Sequence, residues 1–277
     1  MIACVGECGV DEYVDIGLER PGGCSLNVAA NLRVLAEPGV GIKVVSAIGD
    51  DAGSAVVRGA LDRLSLGEFV RTARGPTPRQ RIAIDSRNGE KHFCGYTSGV
   101  LASLSLDTEQ RALVARADLV STVVYSQVVD LFETVATSSR VGVLSADFMD
   151  GRDFGCSLHR MAEYLEAADI AFFGLADEDS PLSQDLRRFA RDHTSTRIVV
   201  TLGAHGSVLY HGPHRFFQPA THLVGRPAVD TTGAGDAYAA AFLVGLLAGD
   251  APQTAMRAAS DHAALVVSRL GAFELTG

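Results

Sequence analysis

Short runs of consecutive apolar residues alternate along the chain with stretches in which apolar positions recur at helical spacing. Positions 2–6, 43–48, 119–124, 141–146, 170–173 and 197–201 make up the runs and read as short buried strands. The intervening stretches, near 25–35, 52–64, 108–115, 131–138, 158–167 and 181–191, read as helices. Apolar strands alternating with helices predict an α/β fold with a mostly parallel sheet covered on both faces. Ligands of such sheets bind beyond the carboxyl ends of the strands. Two helices close the chain. Positions 237–248 are apolar on every side, which requires burial, and 252–269 form the last helix.

Residues 77–96 break this rhythm. Arg79-Gln80-Arg81-Ile82-Ala83-Ile84 alternates, Asp85-Ser86-Arg87-Asn88-Gly89 turns, and Lys91-His92-Phe93 returns, with Asn88-Gly89 as the hairpin signal. Together with residues near 10–17 and 68–71, the hairpin is expected to make a small separate sheet. Such a sheet is either an ordinary edge or a lid over a site. No repeat, low-complexity tract or long linker divides the chain. Residues 1–277 read as one domain, with the small sheet, about 10–20 and 67–100, inserted in it.

The chemistry concentrates in Asp230-Thr231-Thr232-Gly233-Ala234-Gly235-Asp236, which runs directly into the apolar helix. A Gly-Ala-Gly turn opening a helix leaves backbone N–H groups pointing one way, with the positive end of the helix dipole behind them, and so offers an anion site. Asp236 adds a carboxylate in the first helical turn. A carboxylate beside a bound phosphate repels it unless a proton donor stands between them. An alcohol attacking a phosphoryl group is such a donor, with Asp236 as its base. The plainer reading is a glycine turn with Asp236 as a helix cap.

This turn and its Ala-rich helix resemble the second signature of the ribokinase-like (PfkB-type) sugar kinases, and further segments match that family in order along nearly the whole chain. The resemblance implies a three-layer α/β/α domain with a small β-sheet lid formed by the hairpin region. Pro21-Gly22-Gly23-Cys24-Ser25-Leu26-Asn27 resembles the first signature. It implies that Gly22 and Gly23 admit a sugar to the backbone, while Asn27 and Asp11 bind its hydroxyls; the alternative is a glycine turn capped by Ser25. Gly49-Asp50-Asp51-Ala52-Gly53 matches a structural strand-to-helix turn in which Asp51 caps the helix. Thr201-Leu202-Gly203-Ala204-His205-Gly206 resembles the nucleotide loop, which makes Thr201, Gly203, Ala204 and Gly206, with Thr232 and His262, the expected ATP contacts. His205 is expected to be exposed rather than catalytic. Asp230 and the turn around Gly271-Ala272-Phe273 resemble segments that bind a monovalent cation such as K+ in family members.

One segment departs from the family. After the strand at 170–173, the usual Asn-x-x-Glu, which orders Mg2+ through water, is replaced by Gly174-Leu175-Ala176-Asp177-Glu178. Gly174 stands at the Asn position, and the acid is Asp177 or Glu178 depending on register. Gly95-Tyr96-Thr97-Ser98-Gly99-Val100-Leu101-Ala102 resembles the segment after the lid in bacterial fructoselysine 6-kinases. That likeness implies ATP-dependent phosphorylation of the terminal primary hydroxyl of a fructosamine, with Arg79 and Tyr96 as further substrate contacts. Ribokinase, fructokinase or nucleoside kinase activity is the alternative, and a sugar or nucleotide sensor with impaired catalysis is another. No Gly-x-Gly-x-x-Gly follows the first strand, which sets aside a Rossmann-type dehydrogenase.

Composition narrows the partners. A net charge of −9 argues against nucleic acid or an anionic membrane as the main partner, and 47% hydrophobic with 21% charged residues is ordinary for a globular chain. Cys4, Cys8, Cys24, Cys94 and Cys156 are scattered and form no zinc pattern, which suits free thiols in a reducing compartment. With no basic-flanked apolar leader at the N-terminus and no uninterrupted apolar span, the expected location is the cytoplasm. An open lid sheet would carry an apolar face, so a homodimer through the lid is expected.

Overall fold

The computed structural model describes residues 1–85, 87, 89–139 and 142–275. In chain order, β1 (Ile2–Val5), β2 (Gly9–Tyr13) and β3 (Leu18–Gly22) precede α1 (Cys24–Leu35), β4 (Ile42–Ile48), α2 (Gly53–Leu64) and β5 (Phe69–Thr72). Then come β6 (Arg79–Ile84), β7 (Lys91–Thr97), α3 (Thr108–Arg116), β8 (Leu119–Val123), α4 (Val129–Ala136) and β9 (Val143–Asp147). The chain ends with α5 (Leu158–Ala167), β10 (Ile170–Gly174), α6 (Pro181–Asp192), β11 (Arg197–Thr201), β12 (Ser207–His211), β13 (His214–Gln218), α7 (Ala234–Leu247) and α8 (Pro252–Val267).

Among the described residues, nine strands form one sheet in the order β13-β12-β11-β10-β9-β8-β1-β4-β5. It is parallel from β11 to β5, with β12 and β13 added antiparallel at one edge. The apolar strands pack on both faces, as their lack of alternation requires. On one side Val5, Val120, Leu144 and Ile198 meet Leu113, Phe132, Leu165 and Leu186 of α3 to α6. On the other, Cys4, Val44, Phe172 and Val199 meet Leu26, Ala240, Phe242 and Met256 of α1, α7 and α8. Helix α7 is flanked by α1 and α8 and packs Phe242 against Phe172 of the sheet, which explains why its sequence has no polar stripe.

A second sheet of four strands runs β3-β2-β6-β7. The hairpin expected at 77–96 is its β6–β7 pair, interrupted by a bulge between Arg81 and Ile82; Asn88 of the expected turn lies outside the described residues, as does Val141, the first residue of the strand expected at 141–146. The expected partner at 68–71 is not part of it. Those residues lie in β5, where Phe69 pairs with Val45 and turns into the core of the large sheet. The fourth strand is instead β3, a polar segment containing Pro21, which an edge strand tolerates because its outer N–H positions need no partner.

Two glycines separate close packing from open space. A Cβ on Gly49 would stand 2.2 Å from the Gly75 carbonyl oxygen and 2.5 Å from the Thr77 nitrogen, whereas one on Gly59 in α2 would meet nothing within 4 Å. Gly49→Ala is therefore expected to cost about 1–3 kcal/mol, and Gly59→Ala to stabilise by about 0.5–1 kcal/mol. Urea unfolding midpoints of the two variants check both signs.

Candidate active site

Gly233 adopts φ 74° and ψ 4° and stands as N-cap of α7, so the helix begins at Ala234, three residues earlier than its apolar pattern. The positive φ suits glycine, and the fit enforces it: a Cβ there would lie 2.1 Å from the Ala272 Cβ. Gly235, in the first turn, is exposed and has open space where a side chain would be. The Ala234 N–H donates to the Thr231 carbonyl at 3.2 Å, while the exposed Gly235 leaves the N-terminus of α7 open to an anion.

Asp230 braces this turn. Its side chain is fully buried; Oδ1 accepts from the Thr232 N–H at 2.8 Å, and Oδ2 accepts from the Gly271 N–H at 2.8 Å and the Tyr13 hydroxyl at 2.6 Å. The tip of the small sheet rests here as well. The Thr231 N–H donates to the Gly89 carbonyl at 3.0 Å, and Lys91 on β7 holds Thr231 through its N–H to Oγ1 (3.2 Å) and its Nζ to the carbonyl (3.4 Å).

Asp236 is buried, and its Oδ2 accepts from Asn27 Nδ2 at 2.9 Å. Burial raises its pKa, opposed by the Asn27 amide, the Lys91 charge and the Cys24 thiol. Asn27 is placed by α1, whose N-cap is Gly23 with φ 95°; Ser25 caps nothing. The Asp11 carboxyl on β2 packs against Gly22, where a Cβ would lie 2.2 Å from Asp11 Oδ2. The two glycines of the first signature thus make room for this chain's own carboxylates. Burial, reinforced by Glu7, pushes Asp11 up to about 8.

The structure brings Asp11, Gly22, Gly23, Asn27 and Asp236 together near the carboxyl ends of β1 and β8. Tyr96 joins them, because β7 pairs it with Gln80, which pairs with Asp11, so the three share a sheet face. Arg79 does not. It pairs in register with Val10, on the opposite face, and is held there by Glu12 and Glu19. Gly203, Ala204 and Gly206 form the tight loop between β11 and β12, with Ala204 and His205 exposed and Thr201 bonded to the Phe173 carbonyl. Thr232 is buried with an unpartnered hydroxyl among the described residues. His262 Nε2 lies 2.7 Å from Asn31 Oδ1 on α1, and burial lowers its pKa. Glu178 is spent on Arg215, which grips both carboxylate oxygens at 2.5 and 2.6 Å, whereas Asp177 is exposed beyond β10.

Three residues here left little trace in sequence. Glu7, buried just after β1, is pushed up to about 7 by burial and by Asp236, and Asp147 at the end of β9 is pushed to about 7 for the same two reasons. Lys91 is a cation that acts on Asp11, Asp147 and Asp236 together. An acid at the carboxyl end of each predicted strand was the available signal for the first two.

A carboxylate against the amide end of a buried helix, at the carboxyl edge of a parallel sheet, is an arrangement suited to phosphoryl transfer to an alcohol. The sequence matches the pfkB family carbohydrate kinase profile over residues 8–275. It is 28% identical to the fructoselysine 6-kinase of Shigella flexneri over 98% of this chain and 99% of the relative, and 27% identical to the fructosamine kinase FrlD of Bacillus subtilis strain 168 over 98% and 92%. Its fold is similar to that of Arabidopsis thaliana ribokinase complexed with ribose and ATP, with a TM-score of 0.78 and 21% identity over 98% of this chain and 93% of that one. The chain belongs to the pfkB family of carbohydrate kinases and is an ATP-dependent sugar kinase. No described helix is long and apolar enough to cross a membrane.

Two measurements probe the site without substrate. Tyr13→Phe removes one of the three bonds to the buried Asp230 carboxylate and is expected to cost about 1.5–3 kcal/mol in urea unfolding. Glu7 and Asp11 keep their protons to about 7 and 8 in the folded chain, against 4.5 and 3.8 ordinarily. Their contribution to stability is thus fully present below about pH 4 and is lost as pH rises through those values. The melting temperature should fall between pH 5 and pH 8, and Glu7→Gln should flatten that fall.

Proposed function

We propose that the protein transfers the γ-phosphoryl group of ATP to the terminal primary hydroxyl of a fructosamine-type ketose. The observation that carries the chemistry is the 2.9 Å bond from Asn27 to Asp236, which fixes the carboxylate beside the first-turn amides of α7. Asp236 takes the hydroxyl proton, and the turn Gly233-Ala234-Gly235, in which the Ala234 N–H is shared with the Thr231 carbonyl, holds the charge that develops on the transferring group. Asp11 and Asn27 orient the sugar. The loop at Gly203–His205 and Gly206, with Thr201, receives the nucleotide, and the small sheet closes over the pocket to exclude water. The substrate class rests on the near-full-length likeness to fructoselysine and fructosamine kinases.

An exposed carboxylate suits a divalent ion that keeps most of its water, so Asp177 rather than Glu178 is the residue for Mg2+. Magnesium, when bound with ATP, neutralises phosphate charge. At Gly174 a Cβ would meet only Thr201 Oγ1 at 3.7 Å and the Met149 carbonyl at 3.9 Å, so the family's Asn fits there.

ATP consumption over fructoselysine, other fructosamines, fructose, ribose and adenosine tests the substrate class; activity confined to a plain sugar or nucleoside would discard the fructosamine assignment. Asp236→Asn is expected to lower kcat by at least about 1,000-fold with little change in sugar binding, and surviving turnover would remove Asp236 as the base. Gly174→Asn is expected to fold normally and to reach half-maximal rate at lower Mg2+, read from a magnesium titration at fixed ATP.

A further inference from the structure

The carboxylates around Asp236 exceed what one proton abstraction requires. Glu7 and Asp11 are 6% and 5% exposed and press on consecutive residues of one backbone segment. A Cβ on Gly22 would stand 2.2 Å from Asp11 Oδ2, and one on Gly23 would stand 2.9 Å from Glu7 Cγ. Asn27, one helical turn further on, reaches Asp236 at 2.9 Å. The Cys24 backbone N–H and the Tyr96 hydroxyl favour the charged form of Glu7, and the Tyr96 hydroxyl lies 2.7 Å from the Tyr125 hydroxyl. Lys91 acts on Asp11 and Asp236, but the charge acting on Glu7 is that of Asp236, of the same sign. Lys91 itself sits at the phosphate end, its Nζ 3.4 Å from the Thr231 carbonyl.

A second observation is independent of these acids. Asn27 Oδ1 and Ser25 Oγ, on residues 4% and 3% exposed, have no hydrogen-bond partner among the described residues. Ser25 lines a narrow cavity with Cys24, Asp147 and Asp236, and its Oγ lies 2.8 Å from where a Cβ on Gly6, the neighbour of Glu7, would be. Buried polar atoms without partners in a native chain mark a place for one. Buried carboxylates of like sign are costly unless a cation with N–H donors meets them.

We infer that Glu7, with Asp11 beside it, receives the positive charge of an amine-bearing sugar, and that Glu7 is the residue that makes this kinase prefer cationic over neutral ketoses. The inference rests on the sugar-kinase reading of the same pocket and adds a residue-level cause for its substrate class. Asp236 keeps its role as base toward the hydroxyl, and Glu7 touches the substrate at its amine. Because burial holds a proton on Glu7 up to about pH 7, the ammonium group replaces that proton on binding rather than adding to it.

The test is calorimetric titration with 1-amino-1-deoxy-D-fructose and with D-fructose, which differ by an ammonium for a hydroxyl at one carbon. Both are run at pH 7 on the wild type and on Glu7→Gln, with ATP turnover measured in parallel. The wild type is expected to bind the amino sugar at least tenfold more tightly, and Glu7→Gln to shrink that ratio at least fivefold by weakening the amino sugar. Equal affinities in the wild type, or a ratio that survives Glu7→Gln, overturns the inference. If Glu7→Gln fails to fold, Glu7→Asp takes its place, and equal wild-type affinities overturn the inference without any variant. Selective binding without turnover of either sugar would uphold the charge receptor and count against phosphoryl transfer. Turnover of fructose as readily as the amino sugar would uphold transfer and overturn the receptor.

Discussion

The buried carboxylate of Asp230 is where three parts of the chain are tied together. Its bonds to Tyr13, Thr232 and Gly271 join the small sheet, the anion turn and the segment after α8. A buried carboxylate is stable only when its lone pairs are met, so each of the three segments is held in place by the same requirement. The positive φ of Gly233 and its contact with Ala272 follow from that arrangement, and so does the direction in which the α7 amides point. Without it, the helix N-terminus would be one more helix end.

Charge organises the rest of the cleft. Glu7, Asp11, Asp147 and Asp236 converge from β1, β2, β9 and α7, and Lys91 comes to them from the small sheet. In the proposed mechanism the acids lie at the sugar end of the pocket, whereas Lys91 lies beside the turn proposed to take the phosphate. A site that handles a polyanion and an alcohol together needs this separation, since a carboxylate within the anion turn would oppose it.

Periodicity made the large sheet legible. Six runs of apolar residues were enough to place its central strands, because strands buried on both faces cannot alternate. The small sheet was less so. Residues 68–71 were expected to join the lid, but Phe69 fits the core beside Val45, while the polar β3 supplies the missing strand through backbone pairing that sequence does not advertise. Asp236, Asn27 and Asp11 were readable because glycine turns flag them. Arg79 and Glu178 are engaged by other charges, Arg79 by Glu12 and Glu19 and Glu178 by Arg215, partners that their sequence neighbourhoods do not announce. Glu7 escaped notice because its burial depends on Gly23 and Tyr96, which lie far apart in the sequence.

The bond between Asn27 and Asp236 spans 209 residues. At ribosomal rates of roughly 5–20 residues per second, the first half of the pocket waits on the order of ten to forty seconds for the second. During that interval Glu7 and Asp11 belong to an unfinished chain, and in its first part β1 still lacks its neighbour β8 as well. Solvent, not protein, must keep those acids charged until α7 arrives. The pocket is therefore a late product of synthesis, and a chain released early carries acids ready for burial and no helix to bury them.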